Sequence, residues 1–250
     1  MQRLRLDIVG SAGSYPSPDS ACSSYLLRSG ASSVLLDAGN GSQSRLYRLI
    51  EPANLNAIII SHGHVDHFAD LIGIYHYLKY ASPPKAPVPV FTTEDTRTKL
   101  EFLLGASNID ETVIALIVTE PGSIITAGSF SVSFYAARHS VPTLITRISD
   151  SSSVMCYGAD GDVSEELSKA SAGVDLLLAE STWVERTKDS AQGLHLDARN
   201  LAALAKSAAA ARLVITHVAY PADKARIFEI VTDSYSGAAF LAEDGASFSF

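Results

Sequence analysis

Cysteine is scarce in this 250-residue chain, where Cys22 and Cys156 are the only two. Two cysteines cannot build a disulfide framework and are too few for a thiolate metal site. Basic residues are also in deficit, with 19 Lys and Arg against 27 Asp and Glu and a net charge of −8. Lys and Arg stand singly, so the clustered positive charge that grips a phosphate backbone is missing and a large nucleic-acid partner is disfavoured. A small anionic substrate stays open, because bound cations can supply local positive charge. No apolar run reaches membrane-spanning length, and the opening MQRLRLDIVG leads into a Gly/Ser/Pro segment rather than the apolar stretch of a signal peptide. The expectation is a soluble cytoplasmic protein with no membrane partner. No repeat or linker divides the sequence. Its 47% hydrophobic residues suffice for a substantial core, so residues 1–250 are expected to form one domain.

The turn-rich stretches at 10–20 and 81–89 are short enough to be loops. Residues 4–9, 24–28 and 33–37 read as strands, and AIIIS at 57–61 is a short apolar run of the kind buried on both faces. Residues 66–80 have helical apolar spacing, 88–91 returns to strand and 93–104 to helix, with Thr93 as N-cap. The segments 112–118, 130–137, 143–148 and 154–158 carry β-branched and aromatic residues in alternation. Helices are expected over 163–172, 197–211 and 221–231, the last opening on Pro221. They alternate with strands at 174–179 and 212–216. Two β-rich blocks, each flanked by helices, imply an α/β protein of stacked sheets covered by helices on both sides.

Of seven histidines, His62, His64 and His67 fall within six residues, in SHGHVDH, directly after the AIIIS strand. A strand end and a turn at Gly63 let His62 and His64 project toward one point. Asp66 and His67 then come from the first turn of the next helix. Neutral imidazoles and a carboxylate suit zinc and related borderline cations. So short a segment cannot turn four ligands onto one ion, which points to two neighbouring ions. His139 after FYAAR, Asp160 after MCYGA and His217 after RLVIT each follow a strand, where α/β sheets gather their functional groups.

The series Asp37, His62-x-His64-x-Asp66-His67, His139, Asp160, His217 resembles the metallo-β-lactamase superfamily, whose fold is a four-layer αββα sandwich with a dinuclear metal site between its sheets. The resemblance runs from residue 4 to about residue 221. It implies that His62, His64 and His139 hold one ion, that Asp66, His67 and His217 hold the second, and that Asp160 bridges the two. Two divalent ions are implied, zinc first, though manganese and iron also accept a His/Asp set. Asp37, in LLDAGNG, would support the ligand loop by hydrogen bonds.

That fold carries β-lactam, thioester, lactone, phosphodiester and redox chemistry, so the substrate must be argued separately. The opening GSAGSYPSPDSACSSYLL is similar to that of the ribonuclease Z group and its small-molecule phosphodiesterase relatives. A bridging Asp160 favours a metal pair, the arrangement suited to in-line attack on phosphorus. His195, in GLHLDARN, resembles the H-x-T-A segment of the same group, in which the histidine acts in catalysis; Asp197 replaces the usual threonine but can still cap the helix. Asp66 would orient the attacking hydroxide besides ligating. His195 would stabilise the transition-state oxygens or protonate the leaving alkoxide, with Glu180 as a candidate to orient it. Ser140 is a further candidate near the phosphate, whereas His76, Trp183, Cys22 and Cys156 read as packing or surface.

Ribonuclease Z carries a protruding arm between the residues matching His139 and Asp160. Only 20 residues separate these two here, which leaves no room for an arm. The expected function is a compact phosphodiesterase acting on a small phosphodiester such as a 3′,5′-cyclic nucleotide, similar to the atypical class II cyclic-nucleotide phosphodiesterases. Relatives of this kind are often dimers, so a homodimer is a candidate assembly that the sequence does not fix. The competing readings are a ribonuclease Z-like tRNA 3′-processing endonuclease and a thioester or lactone hydrolase of the same fold. A single-iron dioxygenase would not need Asp66 or His67, and a non-enzymatic remnant would lack ligands.

Overall fold

Apolar runs become inner strands, and alternating segments become strands with one face on the core. The computed structural model of the protein describes residues 3–105, 109–187 and 193–250. In chain order the strands of the first half are Arg5–Gly10 (β1), Ala12–Gly13 (β2), Ser24–Ser29 (β3), Ser32–Leu36 (β4), Ala57–Ile59 (β5), Val88–Thr92 (β6) and Ile114–Val118 (β7). Those of the second half are Ile124–Ala127 (β8), Phe130–Ala136 (β9), Leu144–Ser149 (β10), Val154–Tyr157 (β11), Leu176–Glu180 (β12), Arg212–Thr216 (β13), Val218–Ala219 (β14), Ala238–Leu241 (β15) and Ser247–Ser249 (β16). The helices are Gln43–Leu49 (α1), Val65–Tyr80 (α2), Glu94–Leu104 (α3), Glu165–Ser171 (α4), Ala198–Ser207 (α5) and Lys224–Ser234 (α6).

The strands form two seven-stranded sheets, ordered β16-β1-β3-β4-β5-β6-β7 and β15-β13-β12-β11-β10-β9-β8, with β14 and β2 as a separate ribbon. Each sheet starts antiparallel, through β1-β3-β4 or β8-β9-β10-β11, and turns parallel where helical crossovers begin. Leu6, Tyr25 and Leu36 of the first sheet meet Phe130, Phe134 and Leu178 of the second in a central apolar layer. Fully burying each such side chain stabilises the fold by about 1.5–3 kcal/mol. A second apolar layer lies between the second sheet and α4, α5 and α6, and a third between the first sheet and α1, α2 and α3. The result is the expected αββα sandwich.

Helix ends follow local chemistry. Thr93 caps α3 by accepting from the Thr96 amide, and Asp197 caps α5 by accepting from the Asn200 amide. The helix expected over 221–231 starts at Lys224 instead. Asp223 caps it through the Arg226 amide, and Pro221 lies in the turn before it. α5 stops at Ser207 rather than 211, because Ala209 takes a left-handed φ of 51°. Strands β8 and β15 escape sequence reasoning because they are sheet edges with half their residues exposed. Among the described residues, no helix is long and apolar enough to cross a membrane.

Candidate metal centre

Strands β5, β11, β12 and β13 run parallel within their sheets, and the loops at their C-terminal ends carry the chemistry, as α/β sheets favour. His62 follows β5, and His64 is the extended N-cap of α2, which places Asp66 and His67 in that helix's first turn. Asp160 follows β11 and His217 follows β13, while His139 lies between β9 and β10. Ser14, Asp37, Ala159 and His217 all have φ between 49° and 61°, in the left-handed region that costs a non-glycine residue energy. Four of the five such residues described thus sit at this one place.

Every ligand candidate from the sequence arrives here, in two groups that share Asp160. The first is His62, His64, His139 and Asp160; the second is Asp66, His67, Asp160 and His217, with the ligating atoms of each group within 4.8 Å of one another. In the first group His64 Nδ1 lies 3.0 Å from His62 Nε2 and 3.2 Å from His139 Nε2. In the second His67 Nε2 lies 3.3 Å from His217 Nε2, and Asp66 Oδ2 lies 3.1 Å from His217 Nε2. Asp160 Oδ1 is 3.3 Å from His67 Nε2, and Oδ2 is 3.4 Å from His217 Nε2 and 3.8 Å from His62 Nε2. At zinc–nitrogen bonds near 2.05 Å, the edge of a ligand tetrahedron is about 3.3 Å.

The hydrogen bonds behind the rings decide what those short separations mean. His67 Nδ1 donates to Asp37 Oδ2 at 2.7 Å, His139 Nδ1 to the Leu194 carbonyl at 2.8 Å, and His217 Nδ1 to Thr182 Oγ1 at 2.9 Å. Thr182 can accept because its own proton goes to Glu180 Oε2 at 2.5 Å. Each ring therefore turns its Nε2 lone pair inward, and lone pairs 3.3 Å apart repel unless something positive lies between them. Asp160 Oδ1 adds a buried carboxylate oxygen with no hydrogen-bond partner among the described residues. A divalent cation satisfies all of these groups, so the residues present fit a metal pair.

Electrostatics agree. Burial, together with the neighbouring His67, pushes His62 well below the usual imidazole value, and burial brings His139 down to about 4. These rings are neutral and ready to ligate. Burial opposes charge on His67 and His217 as well, yet Asp160 overrides it, with Asp37 on His67 and Asp66 on His217. His67 is held well above its ordinary value and His217 is raised to about 9. The carboxylates thus call for positive charge, as protons in the bare protein or as metal.

Other candidates sort clearly. Glu180 does hold His195, with Nδ1 3.0 Å from Oε1 and 3.1 Å from Oε2. The His195 ring centre stands 5.2 Å from that of His139 and 5.7 Å from that of His217, at the rim of both groups. Asp37 also accepts from the Ser61 amide at 2.7 Å and the Tyr157 hydroxyl at 2.6 Å. Ser140 is exposed beside His139, and exposed His76 stacks on Tyr80 with ring centres 6.0 Å apart. Cys22 and Cys156 are buried free thiols. Sequence reasoning missed Ser61, Tyr157, Thr182 and the Leu194 carbonyl. Ser61 and Thr182 adjoin motifs already singled out, but nothing local marks Tyr157 or a backbone oxygen.

An αββα sandwich with paired histidine–carboxylate groups at its strand ends defines a hydrolase of the metallo-β-lactamase fold that uses divalent metal ions. Residues 32–218 match the family model of the beta-lactamase superfamily domain, and the chain belongs to that family. It is 27% identical to the probable metallo-hydrolase YhfI of Bacillus subtilis (strain 168), over 86% of this chain and 87% of that protein. The crystal structure of YhfI superposes with a TM-score of 0.90 at 25% identity, covering 100% of both chains. Ribonuclease Z of Mycobacterium bovis (strain BCG / Pasteur 1173P2) is 28% identical over 86% of this chain and 85% of its own. A diphosphatase from the PhnP family shares the fold, with a TM-score of 0.80 at 18% identity over 99% of this chain and 98% of that one.

Proposed function

We propose that the protein is a phosphodiesterase acting on a small phosphodiester, with a 3′,5′-cyclic nucleotide as the leading substrate. The proposed ligands are His62, His64 and His139 for one ion and Asp66, His67 and His217 for the other, with Asp160 between them and zinc as the favoured metal. Bound there, two divalent ions supply Lewis-acid stabilisation and lower the pKa of water.

The observation that carries the reading is His195. Its Nδ1 is committed to the Glu180 carboxylate, which leaves Nε2 to face a substrate held at the centre. Burial opposes protonation, but the hydrogen bond and charge of Glu180 raise the ring above its ordinary pKa. A charged imidazole beside two ligand groups can neutralise phosphoryl oxygens and give its proton to a departing alkoxide. Asp66, anchored by the Ser14 amide at 2.9 Å, orients the nucleophile with its carboxylate. Relatives named for ribonuclease and diphosphatase chemistry support bond breaking at phosphorus. Net charge −8 and the short span between His139 and Asp160 favour a small substrate over a tRNA.

The decisive experiment sets cyclic AMP and bis(p-nitrophenyl) phosphate beside a precursor tRNA, a thioester and a lactone. Turnover of the two small phosphodiesters is expected. Cleavage of the thioester or lactone alone would refute the proposal, and tRNA cleavage alone would replace it with the endonuclease. His195→Ala should keep both metals and lose about 10²–10⁴-fold in turnover of the cyclic nucleotide. Full activity in that variant removes His195 from the site.

A further inference from the structure

The short segment that carries His195 belongs to neither helix nor strand before Asp197, so side chains must fix it. Arg186 and Asp162, which the proposed chemistry does not use, meet behind it. The Arg186 guanidinium donates through Nη2 both to Asp162 Oδ1 and to the backbone carbonyl of His195. Asp162 Oδ2 accepts from the Gly193 amide at 3.1 Å. The carbonyl of Leu194, between them, is the acceptor for His139 Nδ1. Three consecutive residues, Gly193, Leu194 and His195, therefore each have a backbone group tied, directly or through Arg186, to the loops bearing Asp160 and His139. Asp162 is well placed for this, being two residues past Asp160 with its amide bonded to the Arg138 carbonyl at 2.9 Å. The Arg186 guanidinium also lies 5.5 Å from the Trp183 ring, which stands nearly perpendicular to the His195 ring with ring centres 5.5 Å apart.

We propose that the Arg186–Asp162 pair is a positioning device that aligns the His195 imidazole with the metal centre and thereby sets how well the enzyme expels a poor leaving group. The pair rests on the reading of His195 as proton donor. Arginine suits the task because a planar guanidinium binds a carboxylate and a carbonyl in fixed directions, which a lysine ammonium does not. Proton transfer falls off steeply when the donor moves by about 1 Å, and rates can drop about 10²-fold. A substrate leaving as p-nitrophenolate needs little proton donation, whereas an alkoxide leaving group needs it fully.

The test compares Arg186→Met, Asp162→Asn and Arg186→Lys with the unaltered protein on cyclic AMP and on bis(p-nitrophenyl) phosphate. For the Met and Asn variants, kcat on cyclic AMP should fall about 10–100-fold with KM and metal content unchanged, and kcat on the aryl ester should change less than about threefold. Arg186→Lys should recover part of the loss. Hydrogen exchange at the Gly193 amide should speed up about 10-fold or more in Arg186→Met, because its carboxylate acceptor is no longer held. Equal losses on both substrates, losses that track missing metal, or unchanged exchange would each overturn the proposal. The exchange measurement needs no substrate. It judges the pair even if the unaltered protein cleaves no phosphodiester, a result that would instead sink the proposed function.

Discussion

Asp37→Asn is the sharpest probe of how the ligands are held. The substitution preserves shape but exchanges one acceptor oxygen for a donor NH₂. Oδ1 accepts from the Ser61 amide, while Oδ2 accepts from His67 Nδ1 at 2.7 Å, the Tyr157 hydroxyl at 2.6 Å and Ser61 Oγ at 2.9 Å. An asparagine keeps the first bond and faces the other three donors with hydrogens. The two hydroxyls can rotate to accept, but His67 Nδ1–H cannot. Its only relief is to move the proton to Nε2, which removes the lone pair aimed at the centre. Hydrogen bonds to a charged group are each worth about 1.5–3 kcal/mol, so one lost and two weakened amount to about 2–4 kcal/mol of stability. Native domains typically hold about 5–15 kcal/mol, so the variant should still fold. Titrating metal-stripped protein with zinc against a chromophoric chelator separates the two sites. The step belonging to Asp66, His67 and His217 should weaken about 10–100-fold, the usual cost of losing such a supporting partner. The other step should hold within about threefold. A folded variant with both affinities intact, or with both equally reduced, would refute this reasoning.

Gly13→Ala should mimic part of that loss, since a Cβ there would lie 2.7 Å from His217 Nδ1 and 2.7 Å from its carbonyl oxygen. The expected outcome is weaker binding at the His217 site by isothermal titration, with the His62 site unaffected; equal affinity at both would show that the ribbon yields freely. In metal-stripped protein, His217 has its folded pKa raised to about 9 by Asp160 and Asp66 against the cost of burial, compared with about 6.5 unfolded. A raised folded pKa gives stability fully present below about pH 6.5 and lost as the pH climbs through 9. Metal requires the unprotonated ring and gains over the same interval. The gap between melting temperatures with and without zinc should therefore widen from pH 6.5 to 9, and a constant gap would contradict the assignment. Phe134→Ala, at a position 1% exposed between the sheets, should cost about 3–5 kcal/mol in denaturant unfolding. A loss below about 1 kcal/mol would mean that the central layer closes around the hole.

The amino-acid sequence by itself determined the layer architecture and marked the candidate metal ligands that the fold brings together. AIIIS and VDLLLA read as strands buried on both faces and RLVIT as a strand between helices, and all three are inner strands in the structure. The ligands stand within a few residues of those strands, so their grouping at one end of the sheets follows from local order. Glu180 was a candidate for the same reason, standing directly after the strand expected over 174–179, and the structure makes it the last residue of β12. What the tertiary structure decided is how the imidazoles are oriented and charged. Tyr157 reaches Asp37 across 120 residues of sequence, and the Leu194 carbonyl reaches His139 across 55. Arg186, which carries no motif in the sequence, proves to be keyed to Asp162 across 24 residues. No periodicity encodes such pairs, because a hydrogen bond depends on where two chain segments meet in space: the packing of one sheet on the other brings Tyr157 to Asp37, and the convergence of loops at one end of the second sheet brings together the other two pairs.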